Sequence, residues 1–365
     1  MDKGLEMQKP KYQLVKEYII ETIKQEGLEP GDKIWSENQL AKKFKVSRHT
    51  VRQAIGELAN EGWLYKIHGK GTFVGDRLGE KSNKIKSIGV MTTYLNDYIF
   101  PSIILGIDEV LSKAGYNMVL GCTDNRHDKE RLCLENFVKA DVQGIIIEPT
   151  KSALPNPNLD VYKQIINKGI PIFFIHGSYQ ELDCPYVVVD DVEAGYLATD
   201  YLIKLGHKNI GGIFKIDDIQ GHCRFKGYQM ALADSKIEVK DSNILWFDTD
   251  DNRDEFIKRD HEKFEDLIKS CSAIVCYNDQ IALKVVNTIR NKGLSIPDDI
   301  SLVSFDDSQL AVVSDVKLTT VAHPQQKLGR IVAESLINKI NGGRGKDKIR
   351  MEAELIIRDS AKEHK

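Results

Sequence analysis

The 365-residue sequence lacks the features that would mark several broad protein classes. Its six cysteines (Cys122, Cys133, Cys184, Cys223, Cys271 and Cys276) include no C-x-x-C pair and no zinc spacing, so no structural metal is expected. Most stand in apolar runs and are predicted to be core residues. No apolar run approaches the ~20 residues that a membrane helix needs. The N-terminus carries Asp2, Lys3, Glu6 and Lys9 with no apolar h-region, which argues against a signal peptide and for the cytoplasm. No strand–G-x-G-x-x-G–helix unit and no G-x-x-x-x-G-K-[ST] occurs, and no Ser/His/Asp order stands out. These absences weigh against an enzyme such as a sugar kinase or dehydrogenase, and no catalytic residues are expected. A net charge of −3 also excludes a uniformly basic nucleic-acid coat.

What is present is uneven. A hydrophobic fraction of 41% supports real cores, and the length suggests two or three domains. Residues 1–86 hold 17 Lys+Arg against 12 Asp+Glu, whereas residues 87–365 hold 34 against 42. A locally basic head on an acidic body is the asymmetry expected when one part meets an anionic polymer, although a solvated basic face would give the same count.

Within residues 12–26, Leu14/Val15, Tyr18/Ile19 and Thr22/Ile23 form one helical stripe that stops at Gly27. Ser36 and Gln39 form a capping-box pattern for a second helix, and Ser47 is a good N-cap for a third. The third helix buries Val51, Ala54, Ile55 and Leu58 and leaves Arg48, His49 and Arg52 on other faces. Two short helices joined by a tight turn are the arrangement that places a recognition helix in the major groove. Strands at 63–65 and 72–74 flank His68-Gly69-Lys70-Gly71 and predict a hairpin wing whose glycines let its backbone approach a phosphate.

Residues 10–75 resemble the winged-helix domain of the GntR family of bacterial regulators. The matching positions are Ser36-Glu37-x-x-Leu40-Ala41, Val46-Ser47-Arg48-x-Thr50-Val51-Arg52-x-Ala54-Ile55, Leu58, Glu61-Gly62 and Gly69-Lys70-Gly71-Thr72-Phe73-Val74. The resemblance implies DNA contacts by Arg48, Thr50 and Arg52, with Ser47 and His49 beside them and Lys11 and Glu37 at the edge. Gly69 to Thr72 would form the wing tip. Trp35 replaces a common proline and Ile67 a frequent wing arginine, which shifts wing contacts to His68 and Lys70.

Residues 75–86 are polar with little apolar periodicity and are predicted to be a linker. Beyond them, apolar runs alternate with helix-length segments, at 88–91, 118–120, 144–147, 172–175, 186–189, 210–214, 273–276 and 301–305. Unalternated apolar strands separated by helices predict parallel sheets covered on both faces. The series suits two α/β lobes divided near Gly177. Ligands of such sheets bind beyond the strands' carboxyl ends. There stand Tyr94, Tyr98, Glu148, His176 and Lys215, together with Asn278 and Asp306, beside other acidic and amide residues. About half of these residues are expected to cap the helices that follow. The cluster suits a small polar ligand such as a polyol.

Residues 87–360 resemble the effector domain of LacI-family repressors, which shares the two-lobed fold of periplasmic sugar-binding proteins. The stretches that carry the likeness include Gly206-His207-Lys208-Asn209-Ile210, Arg224-x-x-Gly227-Tyr228, Asn278-Asp279-Gln280-Ile281-Ala282, Ile296-Pro297-Asp298-Asp299-Ile300 and Phe305-Asp306-Asp307. The resemblance assigns sugar hydroxyl contacts to Arg224, Asn278 and Asp306. His176 and His323 replace a common aspartate and a frequent glutamine, which argues against simply carrying over the family's hexose or purine ligand. The head-and-body combination resembles the arabinose-responsive repressors of bacteria, and that likeness names L-arabinose as the effector.

The expectation is thus a winged helix-turn-helix at 1–74, a linker at 75–86, and a two-lobed effector and dimerisation domain at 87–365. It would be a repressor that binds palindromic double-stranded operator DNA as a homodimer, without cofactor, metal or membrane. The nearest alternative is a repressor of the same architecture that responds to a different sugar. From other classes come an α/β sugar-metabolising enzyme and a transport-type sugar-binding protein. The enzyme reading lacks the motifs above, and the transport reading leaves residues 10–75 unexplained.

Overall fold

Capping residues and glycines set the limits of the first three helices. The computed structural model of the chain describes residues 10–67, 69–75, 86–95, 99–250 and 256–364. His68, Tyr98 and most of the expected linker lie outside them. The chain divides into two compact units, Met1–Ile85 and Lys86–Lys365.

In the first unit, α1 (Lys11–Gln25) buries Val15, Ile19 and Ile23. Its chain then turns through Gly27, where a φ of +64° suits a residue without Cβ. A complete capping box at Ser36 and Gln39 starts α2 (Glu37–Phe44), and Lys45 in the left-handed conformation ends it. The Ser47 hydroxyl accepts the Thr50 N–H at 3.1 Å and opens α3 (Arg48–Asn60). Antiparallel strands β1 (Leu64–Ile67) and β2 (Gly71–Val74) follow, in register from Leu64↔Val74 to Ile67↔Gly71. Val51, Ala54, Ile55 and Leu58 of α3 meet Leu40, Leu64 and Val74 in one core.

The second unit holds two sheets. In the first lobe, β3 (Ser87–Thr92), β4 (Asn117–Cys122), β5 (Gly144–Ile147), β6 (Ile172–Ile175) and β7 (Tyr186–Val189) are parallel. In the second, β8 (Ile210–Lys215), β9 (Ile244–Phe247), β10 (Ala273–Cys276), β11 (Ser301–Asp306) and β12 (Thr319–Ala322) are parallel. The last two strands separate: β13 (Lys348–Met351) returns to the first lobe beside β7, while β14 (Glu354–Ile356) pairs antiparallel with β12. Among the described residues the strand orders are 13-7-6-5-3-4 and 14-12-11-10-8-9.

The lobe boundary is not near Gly177. The chain stays in the first lobe through Val189, because β7 pairs with β6 at Phe174↔Tyr186 and Ile175↔Val187. It crosses after β7, again after β12, and a third time between β13 and β14. The helix Gln325–Ile340 accordingly packs Leu328, Val332 and Leu336 into the first lobe's core. Cysteine burial also differs from expectation. Cys184, Cys271 and Cys276 are buried, whereas Cys122, Cys133 and Cys223 are half-buried, and all six are free thiols.

One close approach positions the cleft. A Cβ on Gly195 would lie 2.1 Å from the Arg224 carbonyl oxygen, and one on Gly227 2.0 Å from that of Val192. The helices Asp191–Lys204 and Ile219–Asp234 therefore cross backbone to backbone, which sets where Arg224 enters the cleft.

Candidate functional site

Two separate surfaces collect the predicted residues. On the first unit, Lys11, Ser47, Arg48, His49, Arg52, Gly69, Lys70 and Gly71 are exposed, and Thr50 and Glu37 are half-buried. Thr72 differs, being only 8% exposed, so its side chain faces the hairpin's inner side. Glu37 Oε2 accepts from Arg52 Nε at 2.8 Å, and Lys66 Nζ lies 3.4 Å from Glu37 Oε1. Burial works against the Glu37 charge, yet its bonds to Arg52 and Lys66 prevail and lower its pKa. Arg48 and His49 occupy the first turn of α3. At the wing tip, Gly69 and Gly71 have φ of +75° and +126°.

The second surface is a cavity of about 90 Å³ between the lobes. Tyr94, Glu148, Lys215, Arg224, Asn278, Asp306 and His323 all line it. His176 lines a smaller polar recess beside it, shared with Thr93, Glu148 and Lys215. Asp124, another strand-end residue, pairs instead with Lys129 on the surface, and Asp190 caps its helix.

Arg224 is the centre of charge. Its Nε donates to Asp191 Oδ1 at 2.8 Å, Nη1 to the Tyr277 carbonyl at 2.6 Å, and Nη2 to Asp306 Oδ1 at 3.4 Å. Its guanidinium carbon lies 5.0 Å from the Tyr277 ring centroid and 4.5 Å from that of Phe305. Burial opposes the charge, but Asp191 and Asp306 outweigh it and hold the guanidinium protonated. Burial raises the Asp191 pKa, with Arg224 offsetting part of the rise. Asp306 ends β11 with φ of +99°, a strained conformation that turns its carboxylate into the cleft.

Asn278 is both cap and candidate. Its Oδ1 accepts the Ile281 N–H at 3.0 Å, which leaves the amide nitrogen for the cavity. Lys215 Nζ lies 3.6 Å from Asp217 Oδ1 and 3.8 Å from Asp218 Oδ2. Burial disfavours this ammonium, but Asp218 and Asp217 raise its pKa overall. On the opposite lobe Glu148 Oε2 accepts the Thr93 N–H at 2.6 Å, and Oε1 lies 3.0 Å from His176 Nδ1. Burial works against the His176 charge, but Glu148 prevails and raises its pKa.

His323 meets the His176 ring edge-on, with centroids 4.9 Å apart. Its pKa falls well below the usual value, through burial first and then the charges of His176 and Arg224. Both His323 ring nitrogens and His176 Nε2 are buried without a hydrogen-bond partner. Buried polar atoms of this kind call for a polar ligand or ordered water.

The sequence patterns do not single out Gln220, Phe247, Asp248, Thr249 and Tyr277, which also line the cavity, as do Asp218 beyond the strand at 210–214 and Gln280 of the Asn278 motif. Phe247 ends β9 and Asp248 and Thr249 follow it; the strand's four-residue run is short for a strand signal. Tyr277 adjoins the Asn278 motif, so its neighbour could have pointed to it. Among the described residues, no group of three His, Cys, Asp or Glu could hold a metal, and no helix is long and apolar enough to cross a membrane.

A winged helix-turn-helix and a two-lobed ligand-binding body together define a ligand-responsive transcription regulator. Residues 11–74 match the gntR family of bacterial regulatory proteins, and residues 199–361 match a periplasmic binding protein-like domain. The chain is 43% identical to the arabinose metabolism transcriptional repressor of Geobacillus stearothermophilus, with 97% of this chain and 98% of that protein covered. It is 40% identical to the repressor of the same name from Halalkalibacterium halodurans, with 97% of each covered. A LacI-type regulator from Alkaliphilus metalliredigens, solved with D-xylulofuranose, superposes with a TM-score of 0.66 at 26% identity, covering 76% of this chain and 99% of that one. The chain belongs to the family of arabinose metabolism transcriptional repressors. It is a regulator and not an enzyme.

Proposed function

We propose that the protein represses arabinose-utilisation genes by binding double-stranded operator DNA and releases it when L-arabinose occupies the inter-lobe cavity. The observation that carries this reading is the cavity itself, small and lined from both lobes by fixed donors and acceptors around Arg224. Support comes from relatives named for arabinose metabolism and from a solved relative that holds a five-carbon sugar. Arg224, Asn278 and Asp306 hold the sugar hydroxyls. Tyr94, Glu148, Lys215 and His323 complete the contacts, with His176 behind Glu148. No metal or cofactor is required.

Residues 1–74 bind DNA and 87–365 bind sugar and dimerise, with 75–86 as linker, in the cytoplasm. Arg48, Thr50 and Arg52 face the major groove, and Gly69 to Gly71 with His68 form the wing contact. Lys11 reaches the phosphates, while Glu37 orients Arg52. A homodimer presents two such heads to a near-palindromic site. Exposed Leu105 and Leu120 on one lobe, and Val312 and Val313 on the other, suit the apolar part of its interface. Sugar closes the lobes into a dimer geometry that fits the operator poorly.

A mobility-shift titration of upstream arabinose-operon DNA with L-arabinose, D-xylose and D-galactose tests the reading. Release by L-arabinose alone is expected. DNA binding that no sugar relieves would remove the effector from it.

A further inference from the structure

The two lobes touch directly beside the cavity; of the groups that meet there, Asp218 and Thr249 also line the cavity, whereas Asn125, Lys151, Ser152 and Ala153 do not. The loops after β4 and β5 supply Asn125, Lys151, Ser152 and Ala153, and those after β8 and β9 supply Asp217, Asp218, Ile219, Thr249 and Asp250. Asn125 Nδ2 donates to Thr249 Oγ1 at 2.5 Å, and Lys151 Nζ lies 2.8 Å from Asp250 Oδ2. Ser152 Oγ donates to Asp218 Oδ1 at 3.0 Å and accepts the Ile219 N–H at 2.9 Å. The Ala153 N–H reaches the Asp217 carbonyl at 3.3 Å.

This contact is built into the backbone. Asn125 and Lys151 adopt φ of +54° and +41°, which β-region or helical backbone would not give. The Lys151 N–H bonds Asn125 Oδ1 at 2.6 Å, so the two residues brace each other before they cross the gap. Asn125 is 2% exposed, and its amide is therefore fully committed to this junction.

We propose that Asn125 and Lys151 are positioning residues for the effector response: the clasp they form holds the lobes closed and so sets how much sugar is needed to release DNA. The inference rests on the proposed function, in which closure and operator release are coupled. A ligand whose competent state is only partly populated binds more weakly by that fraction. Opening the clasp therefore raises the sugar requirement without removing any sugar contact. It also favours the open, DNA-binding form in the absence of sugar.

The test uses the full-length chain carrying Asn125→Ala with Lys151→Met, and each change alone. Two readouts are taken: the L-arabinose concentration that half-releases operator DNA, and hydrogen exchange at the Ala153 and Ile219 amides. Those two N–H groups donate across the gap, so their exchange reports lobe opening. The double variant is expected to need about five-fold more sugar, the scale of one lost hydrogen bond, and to exchange both amides faster without sugar. Operator affinity without sugar should be equal or tighter, whereas a merely misfolded variant would lose it. Unchanged half-release and unchanged exchange would overturn the clasp. If L-arabinose fails to release wild-type protein, the functional reading falls, while the exchange comparison still decides whether the clasp holds the lobes.

Discussion

The DNA-binding face and the sugar cleft handle charge in opposite ways. On the first unit, Arg48 and Arg52 stand in solvent, and the Arg52–Glu37 pair there is worth at most about 1 kcal/mol to stability. In the cleft, Arg224 is 4% exposed between two carboxylates that are themselves buried. An exposed cation is free to meet phosphates and base edges, at an affinity that salt erodes. A buried cation is already solvated by the protein and can offer a fixed pattern of hydrogen bonds to a neutral sugar. Function at the first surface is therefore cheap in fold stability, and at the second it is inseparable from it.

That contrast predicts the largest effect at Arg224. Arg224→Leu leaves Asp191 and Asp306 facing each other without a counter-charge and should destabilise the body by about 3–5 kcal/mol, read as a fall in its melting temperature. Release by sugar should be lost, while operator binding persists below the melting point. The next largest effect is expected at Gly227→Val, which forces apart two helices that meet at backbone distance. A loss of about 1–3 kcal/mol with weaker sugar binding should follow, seen by calorimetry.

On the exposed side, Arg52→Ala should weaken operator binding by about 1–3 kcal/mol with melting temperature and sugar affinity unchanged. Equal loss of stability in Arg52→Ala and Arg224→Leu would break the comparison. The smallest effect sharpens it through pH. His323 titrates near 6.5 when unfolded and well below that when folded, so the stability it leaves intact above pH 6.5 is lost as pH falls toward its folded pKa. His323→Gln should flatten that acid-side loss in a melting series. His176, whose pKa is raised, acts in the opposite sense at higher pH and does not mask it.

The same contrast explains what the sequence made legible. The head's residues lie within one stretch, and their caps, turns and glycines have local signatures, so α1 to α3 and the hairpin were readable from spacing alone. The cleft draws on strand ends scattered from Thr93 to His323. Asn278 and Asp306 are legible as strand ends, but Arg224, which lies within a helix, and the sugar-contact role of all three rest on resemblance. The thirteenth strand, Lys348–Met351, alternates polar and apolar residues at a sheet edge, and β12 is half threonine, so neither gave the buried-strand signal. The boundary near Gly177 failed for a related reason: β7 pairs with β6 across an intervening loop, and pairing is a tertiary fact. The Asn125–Thr249 junction spans 124 positions and has no local signature at all.

The most direct measurement is the affinity of L-arabinose for the free protein and for the operator-bound protein, by calorimetry at one salt concentration. Linkage requires that the factor by which sugar weakens DNA binding equal the factor by which DNA weakens sugar binding. A lower sugar affinity on the operator complex, by that same factor, is the predicted result. An identical sugar affinity with and without operator would contradict the claim that the cleft controls the head.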